Sequence, residues 1–174
     1  SDVYKRQYEY ASEINKEKSP DDLAFKRNER QFYNFQLVEQ KNKNFGNTMM
    51  RNFLYDAYTY FFYKELSNSN DEQLSALAIK SLKEVKYHLR HSKNWIIRLG
   101  DGTNESNQKV QEAIDNLWQF TGELFEMDEI DKNLLSKNIS VDTKKIKKDW
   151  DLLINETLSE AKLKRPKDEY MATG

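Results

Sequence analysis

The sequence predicts an all-α protein, an antiparallel bundle of helices, on three observations. The 174 residues contain only two prolines, Pro20 and Pro166, so the long stretch between them has no proline to break a helix. Apolar residues recur at three- and four-residue spacing in several long segments. No segment competes with a strand-like alternation of apolar and polar residues. Long helices joined by short loops pack antiparallel, which makes a bundle the expected architecture.

The first helices are placed by the residues at their boundaries. A helix from residue 8 ends near residue 18, where Ser19 is a suitable N-cap and Pro20 suits the first position of a short second helix. After a polar loop around Gly46, Asn47 or Thr48 caps a long third helix that reaches about residue 67. This third helix is rich in aromatic residues on every side.

Three further helices complete the predicted bundle. One covers about residues 71 to 99 and is closed by Gly100 as a C-cap glycine. The next covers about residues 104 to 127. After a polar segment that contains a shorter helical piece, Asp142 caps a last helix that reaches about residue 163 and cannot pass Pro166. The helix before Gly100 has an apolar stripe typical of a bundle, which includes Leu74, Leu77, Ala78, Ser81, Leu82, Val85, Leu89, Ser92, Trp95, Ile96 and Leu99.

Composition excludes several classes of function. The net charge is −1 with the basic residues dispersed, whereas nucleic-acid binding needs a clustered basic face. The absence of cysteine excludes thiol catalysis and thiolate metal sites. No apolar run approaches the roughly 18 residues of a membrane span. The glycine-rich phosphate loops and serine elbows of common enzyme classes are also missing.

The first seven residues need separate treatment. Residues 2–7 read as the translation of a transposase adapter used in shotgun sequencing, so we exclude residues 1–7 from the fold prediction. We expect residues 8–174 to form a single, partial helical domain. We also expect the native protein to start upstream, because the sequence does not begin with methionine.

Both histidines, His88 and His91, lie in the helix before Gly100. A di-iron bundle needs a Glu-x-x-His motif on each of two helices, and no glutamate lies three residues before either histidine. Glu84, His88 and His91 do share one face by their spacing, and Asp56 occupies a bundle-facing position on the preceding long helix. These four residues are the candidate ligands of a single metal ion.

A second interpretation of the same residues needs no metal. A carboxylate at a bundle-facing position that binds no metal must be protonated or have a cation or hydrogen-bond donor beside it. Asp56 then pairs with Lys80 or Lys83, His88 is a hydrogen-bonded core residue, and His91 is a solvated or capping residue. We favour this interpretation, because the ligand set is too small for a di-iron centre.

The aromatic third helix predicts an interaction surface. A helix that is apolar all round is buried all round, and a small bundle covers only one side of it. We therefore expect Tyr55, Tyr58, Phe62 and Tyr63 to meet another subunit, where Tyr and Phe are favoured. Alternatively, the short helix from Pro20 covers these residues, or the tyrosine hydroxyls reach water.

Several ordered motifs resemble the C-subunit family of the multicomponent phenylacetyl-CoA 1,2-epoxidases. The resemblance covers nearly everything after residue 7. It rests on residues 22–25 (DLAF), 28–32 (NERQF), 37–40 (LVEQ), 45–48 (FGNT), 53–57 (FLYDA), 83–92 (KEVKYHLRHS), 98–103 (RLGDGT) and 117–125 (LWQFTGELF).

The resemblance implies a ferritin-like bundle that has lost its metals and supports a homologous, di-iron catalytic A subunit. The complex as a whole is a cytoplasmic bacterial monooxygenase that epoxidises the ring of phenylacetyl-CoA in phenylacetate catabolism. By the family pattern, Asp56, Glu84, Tyr87 and His88 are vestigial metal-site positions, with Tyr87 standing where a histidine would be. The resemblance implies no cofactor and no catalytic residue in this subunit. It also implies that helices before residue 8 and after residue 174 are missing from this chain.

The alternative function is a stand-alone, metal-dependent ferritin-like enzyme that uses Asp56, Glu84, His88 and His91. The two functions differ in whether this chain binds iron or zinc by itself.

Overall fold

A computed structural model describes residues 2–172 of the chain, and the side chains of residues 5–172. All regular elements within these residues are helical, which confirms the predicted fold class. The α-helices are α1 (Asp2–Asn15), α2 (Pro20–Phe25), α3 (Gln36–Glu39), α4 (Phe45–Leu66), α5 (Glu72–Gly100), α6 (Asn104–Leu117), α7 (Glu129–Ser136) and α8 (Thr143–Glu160). Short 3-10 turns occupy Glu29–Gln31, Trp118–Phe120 and Gly122–Phe125.

Local capping explains most of the helix starts. Ser19 forms a capping box with Asp22, and Pro20 opens α2, as predicted. Asp142 caps α8 through the backbone N–H of Lys144, also as predicted. The start of α4 was predicted too late: the helix begins at Phe45, because the side chain of Asn44 accepts from the backbone N–H of Asn47.

The helix predicted to reach residue 127 ends at Leu117 instead. The chain continues as two 3-10 turns, separated by Thr121, whose hydroxyl donates to the Trp118 carbonyl over 2.8 Å. A side chain that bonds to a nearby carbonyl in this way favours a turn over a continuing helix. The change of direction seats the Trp118 ring on Trp150 of α8, with 5.6 Å between ring centroids.

The core lies where α4 packs between α5, α6 and α8. Its largest fully buried side chains are Trp150, Phe53, Leu37, Met50, Leu54, Ile96, Ile114, Leu124, Ile146, Ile154 and Leu158. Trp150 is the largest of them, and its indole Nε1 donates to the Leu54 carbonyl over 2.9 Å. This bond satisfies the one polar atom of the ring inside the core. It thereby ties α8 to the middle of α4.

Gly100 has a role that the sequence did not indicate. It is the last residue of α5, where Asp101 provides the cap, and it does not take the left-handed conformation expected of a C-cap glycine. A Cβ on Gly100 would lie 2.2 Å from the Ala161 carbonyl oxygen. The missing side chain therefore allows the end of α8 to approach the end of α5.

Replacing Gly100 by alanine should lower the free energy of unfolding by about 2 kcal/mol, because a backbone carbonyl cannot move aside as a side chain can. The measurement is urea denaturation. Gly46→Ala is the matched control, since Gly46 is also buried in a helix but its added Cβ would meet the Val110 side chain at 3.2 Å. Equal stability of the two variants would contradict the close contact between Gly100 and Ala161.

Candidate functional site

Asp56 is the polar residue on which the candidate site is built. It lies in the middle of α4, half-buried against α5. The hydroxyl of Ser92 on α5 donates to Asp56 Oδ2 over 2.7 Å, and Ser92 itself is only 1% exposed. Burial raises the pKa of the Asp56 carboxyl, while the Ser92 hydrogen bond and the nearby His88 and His91 oppose that rise.

The predicted salt link of Asp56 is absent from the ion pairs of the described residues. Lys80 and Lys83 line a groove between α4, α5 and α8, whereas Asp56 accepts its hydrogen bond from Ser92. The salt-link prediction is therefore wrong in its choice of partner. A buried hydroxyl costs less to desolvate than an ammonium group, so it can sit in the contact between two helices.

Glu84 and His88 form a second polar pair, one helical turn apart on α5. His88 Nε2 lies 3.6 Å from Glu84 Oε1, and their side chains are 54% and 43% exposed. His88 is thus a surface residue of this chain, and its assignment to the core is corrected by the structure. Pairs this exposed contribute little to stability.

Tyr87 and His91 belong to a column of rings on the surface of α5. The Tyr87 and His91 rings stack with centroids 6.4 Å apart, and His91 meets Trp95 at 6.5 Å. Phe45 of α4 closes the column with an edge contact to Trp95 at 4.9 Å. Tyr87 is 57% exposed, so the position that carries a histidine in the family pattern faces outward in this chain.

These residues do not fit a metal centre. Within residues 5–172, no three side chains of His, Cys, Asp or Glu come together in a way that could hold a metal ion. Asp56 is engaged by Ser92, and Glu84 with His88 offers two groups. A di-iron centre needs four carboxylates and two histidines, so the described residues support no reaction step through iron.

The predicted partner surface is smaller than expected. Tyr58 is 7% exposed and packs edge-on against Phe35 and Phe125, with centroids 5.5 and 5.9 Å away. It belongs to the core, and burial raises the pKa of its hydroxyl. The covering residue is Phe35, in the extended segment before α3, and not the helix from Pro20.

The other three aromatic residues of the predicted surface lie around a cavity. Tyr55, Phe62 and Tyr63 are partly buried and line a space of about 530 Å³ that also contacts Glu84 and His88. Gln7, which falls in the stretch assigned to an adapter, donates to the Tyr63 hydroxyl over 2.7 Å.

Ser92 is the site residue that sequence reasoning missed. Its position in the apolar stripe of α5 was visible, and a hydroxyl in such a stripe indicates a polar partner on the facing helix. The contact of Phe35 with Tyr58 could not be predicted in the same way. Phe35 lies in an irregular segment, where no helical or strand period indicates the direction of a side chain.

The fold and the site together define a helical-bundle protein with a single hydrogen-bonded carboxylate at the face between its two longest helices. The chain belongs to the phenylacetic acid catabolic protein family, whose model matches residues 5–174. It is 44% identical over 165 residues to the C subunit of the 1,2-phenylacetyl-CoA epoxidase of Escherichia coli (strain K12). The match covers 95% of this chain and 66% of the relative.

The match to the relative is partial, and the described helices are too short or too polar to span a membrane. The chain spans 66% of the length of the Escherichia coli relative, so it matches a part of that protein. Among the described residues, no helix combines the length and the apolar character needed to cross a membrane.

Replacing Asp56 by asparagine should change how stability depends on pH. Above about pH 3.9, an unfolded aspartate loses its proton, whereas folded Asp56 keeps it longer because burial raises its pKa. Wild-type stability therefore falls with rising pH until the folded group has ionised as well. The variant lacks this fall, so its free energy of unfolding relative to wild type should increase as the pH rises above about 4.

The measurement is urea denaturation at several pH values, with Glu156→Gln as control. Glu156 is exposed on α8, and its change likewise exchanges a carboxylate for an amide. A relative stability of Asp56→Asn that stays constant with pH would show that Asp56 is not desolvated.

Proposed function

We propose that this chain is the non-catalytic structural subunit of a multicomponent phenylacetyl-CoA 1,2-epoxidase. Its support is membership of the phenylacetic acid catabolic protein family and 44% identity to a protein named as the C subunit of that epoxidase. In this proposal the whole complex is a cytoplasmic monooxygenase of aerobic phenylacetate catabolism. The chain contributes to it without carrying the reaction.

The engagement of Asp56 by Ser92 is the observation that carries the non-catalytic role. In a di-iron bundle the carboxylate of each helix binds metal, whereas here one oxygen of Asp56 accepts a hydroxyl over 2.7 Å. The motif position three residues after Glu84 is the exposed Tyr87, and a neutral phenol is a poor substitute for imidazole as a ligand.

The scaffolding role assigns the chemistry to a homologous A subunit. In this proposal the A subunit holds the di-iron centre, further subunits complete the assembly, and this chain binds no cofactor. Tyr55, Phe62 and Tyr63 are the candidate contact residues, because half-buried aromatic side chains are favoured in interfaces. Tyr58 is left out of this surface, since the chain buries it internally.

The test is the metal content and activity of the assembled complex. The complete gene of this subunit is co-expressed with the gene of its A subunit, and it carries either the wild-type sequence or the double change Glu84→Ala and His88→Ala. Both residues are exposed, so the fold should tolerate the change. We expect the two subunits to co-purify with unchanged iron per complex. The epoxidation rate should stay within about twofold of wild type, which corresponds to a change of about 0.4 kcal/mol in the activation free energy.

A change of the ligand histidine in the A subunit is the positive control, because it should remove iron and activity together. The contrary result is stoichiometric iron or zinc in the isolated subunit that is lost on changing His88. That outcome would establish the stand-alone metal enzyme instead.

A further inference from the structure

A long groove runs along α5 on the side that faces α8. It has a volume of about 1090 Å³ and lies between α4, α5 and α8. Its floor is apolar, formed by Tyr60 and Phe61 of α4, Leu89 and Ile97 of α5, and Leu153 of α8. Asp56 does not line this groove, and Glu84 is the one residue that the groove shares with the cavity lined by Tyr55 and Phe62.

The α5 wall of this groove carries five cations: Lys80, Lys83, Lys86, Arg90 and Lys93. None of them forms an ion pair with a carboxylate of the described residues, although lysines elsewhere in the chain do. Lys145 reaches Glu65 over 2.7 Å, for example, and Lys147 reaches Asp151 over 2.8 Å. Other described cations, Lys144 and Lys148 among them, also form no ion pair, so what distinguishes the groove is that five cations lie together on one wall.

The acidic residues at the groove do not neutralise this wall. Two carboxylates line it, Glu84 and Glu160, and Glu84 is directed to His88 at 3.6 Å. The groove therefore holds five cations and two carboxylates, with Glu84 on the cationic α5 wall and Glu160 on α8. A molecule that matches both the apolar floor and the cationic wall has an apolar face with carboxylates beside it.

We propose that the groove receives an acidic amphipathic helix from another subunit of the complex. A groove between packed helices accepts a further helix by its apolar face, and the wall from Lys80 to Ile97 is about 25 Å long at the rise of an α-helix. The bound helix places apolar side chains on Phe61 and Leu153 and carboxylates beside the α5 cations. This inference rests on the proposed function, because it names the chemistry of a partner.

A small phosphorylated ligand fits the groove less well. Such a ligand is held by donors that converge on the phosphate, whereas the five cations are spread along α5 from Lys80 to Lys93. A phosphate also makes no use of the five apolar floor residues. The acidic helix uses both the charge and the floor.

The first measurement is the affinity of this subunit for its partner subunits. The charge reversals Lys83→Glu and Lys86→Glu are introduced together in the full-length protein, and Lys144→Glu with Lys148→Glu is the matched control. All four lysines are exposed on long helices, and Lys144 and Lys148 lie outside the groove. We expect the groove variant to bind its partner subunits about tenfold more weakly than wild type, and the control variant to bind them as wild type does. The difference between the groove variant and wild type should shrink at high salt, because salt screens charges.

The second measurement is carbodiimide cross-linking of the wild-type complex, which joins an amine to a carboxylate only when the two are in contact. We expect mass spectrometry to find Lys83 or Lys86 joined to Asp or Glu of one helical segment in a partner subunit. These links should disappear in the groove variant. Thermal melting of each free variant checks that the fold is retained.

Three outcomes overturn the inference. Equal affinity of the groove variant and the control shows that the groove is not an interface. Cross-links from these lysines only to carboxylates of the same subunit, whether Glu84 and Glu160 or residues outside this chain, show that no partner helix occupies the groove. Binding of inorganic pyrophosphate that the groove variant abolishes, with assembly unaffected, shows an anion site instead. If wild-type protein fails to join any other component of the epoxidase, the proposed function itself is wrong, and the inference falls with it.

Discussion

The burial of α4 among α5, α6 and α8 is the constraint on which the rest of the structure depends. Phe53, Leu54 and Ala57 are completely buried on one side of this helix, and the Trp150 indole locks that side to α8 by its bond to the Leu54 carbonyl. Once this side is fixed, the helical period decides where every other residue of α4 lies. Asp56 must face α5, and Phe61 must face the groove toward α8.

The polar chemistry of the bundle follows from that placement. Asp56 sits where water is partly excluded, so it needs a donor that does not itself bring a charge into the helix contact. Ser92 meets this need with one short hydroxyl. The Ser92 hydroxyl thus links α4 and α5 through a hydrogen bond to the carboxylate.

The distribution of charge separates two kinds of surface on the same molecule. On α8, Lys145 pairs with Glu65 and Lys147 with Asp151, while the exposed Lys144 and Lys148 form no ion pair among the described residues. The α5 wall of the groove has cations without such partners among the described residues. Exposed ion pairs add little to stability, so the lack of ion pairs at the five groove cations costs the fold little.

The sequence by itself determined the helical class, most helix boundaries and the lack of a Glu-x-x-His motif, because these depend on residues close together in the chain. It placed Ser19 and Asp142 correctly as caps for the same reason. The tertiary structure alone decided three contacts. Asp56 accepts a hydrogen bond from Ser92, and Phe35 packs against Tyr58. Ala161 lies close to Gly100, which has no side chain to block it. Each of these contacts joins residues from separate elements, and spacing along one helix carries no information about which neighbour will be packed against it.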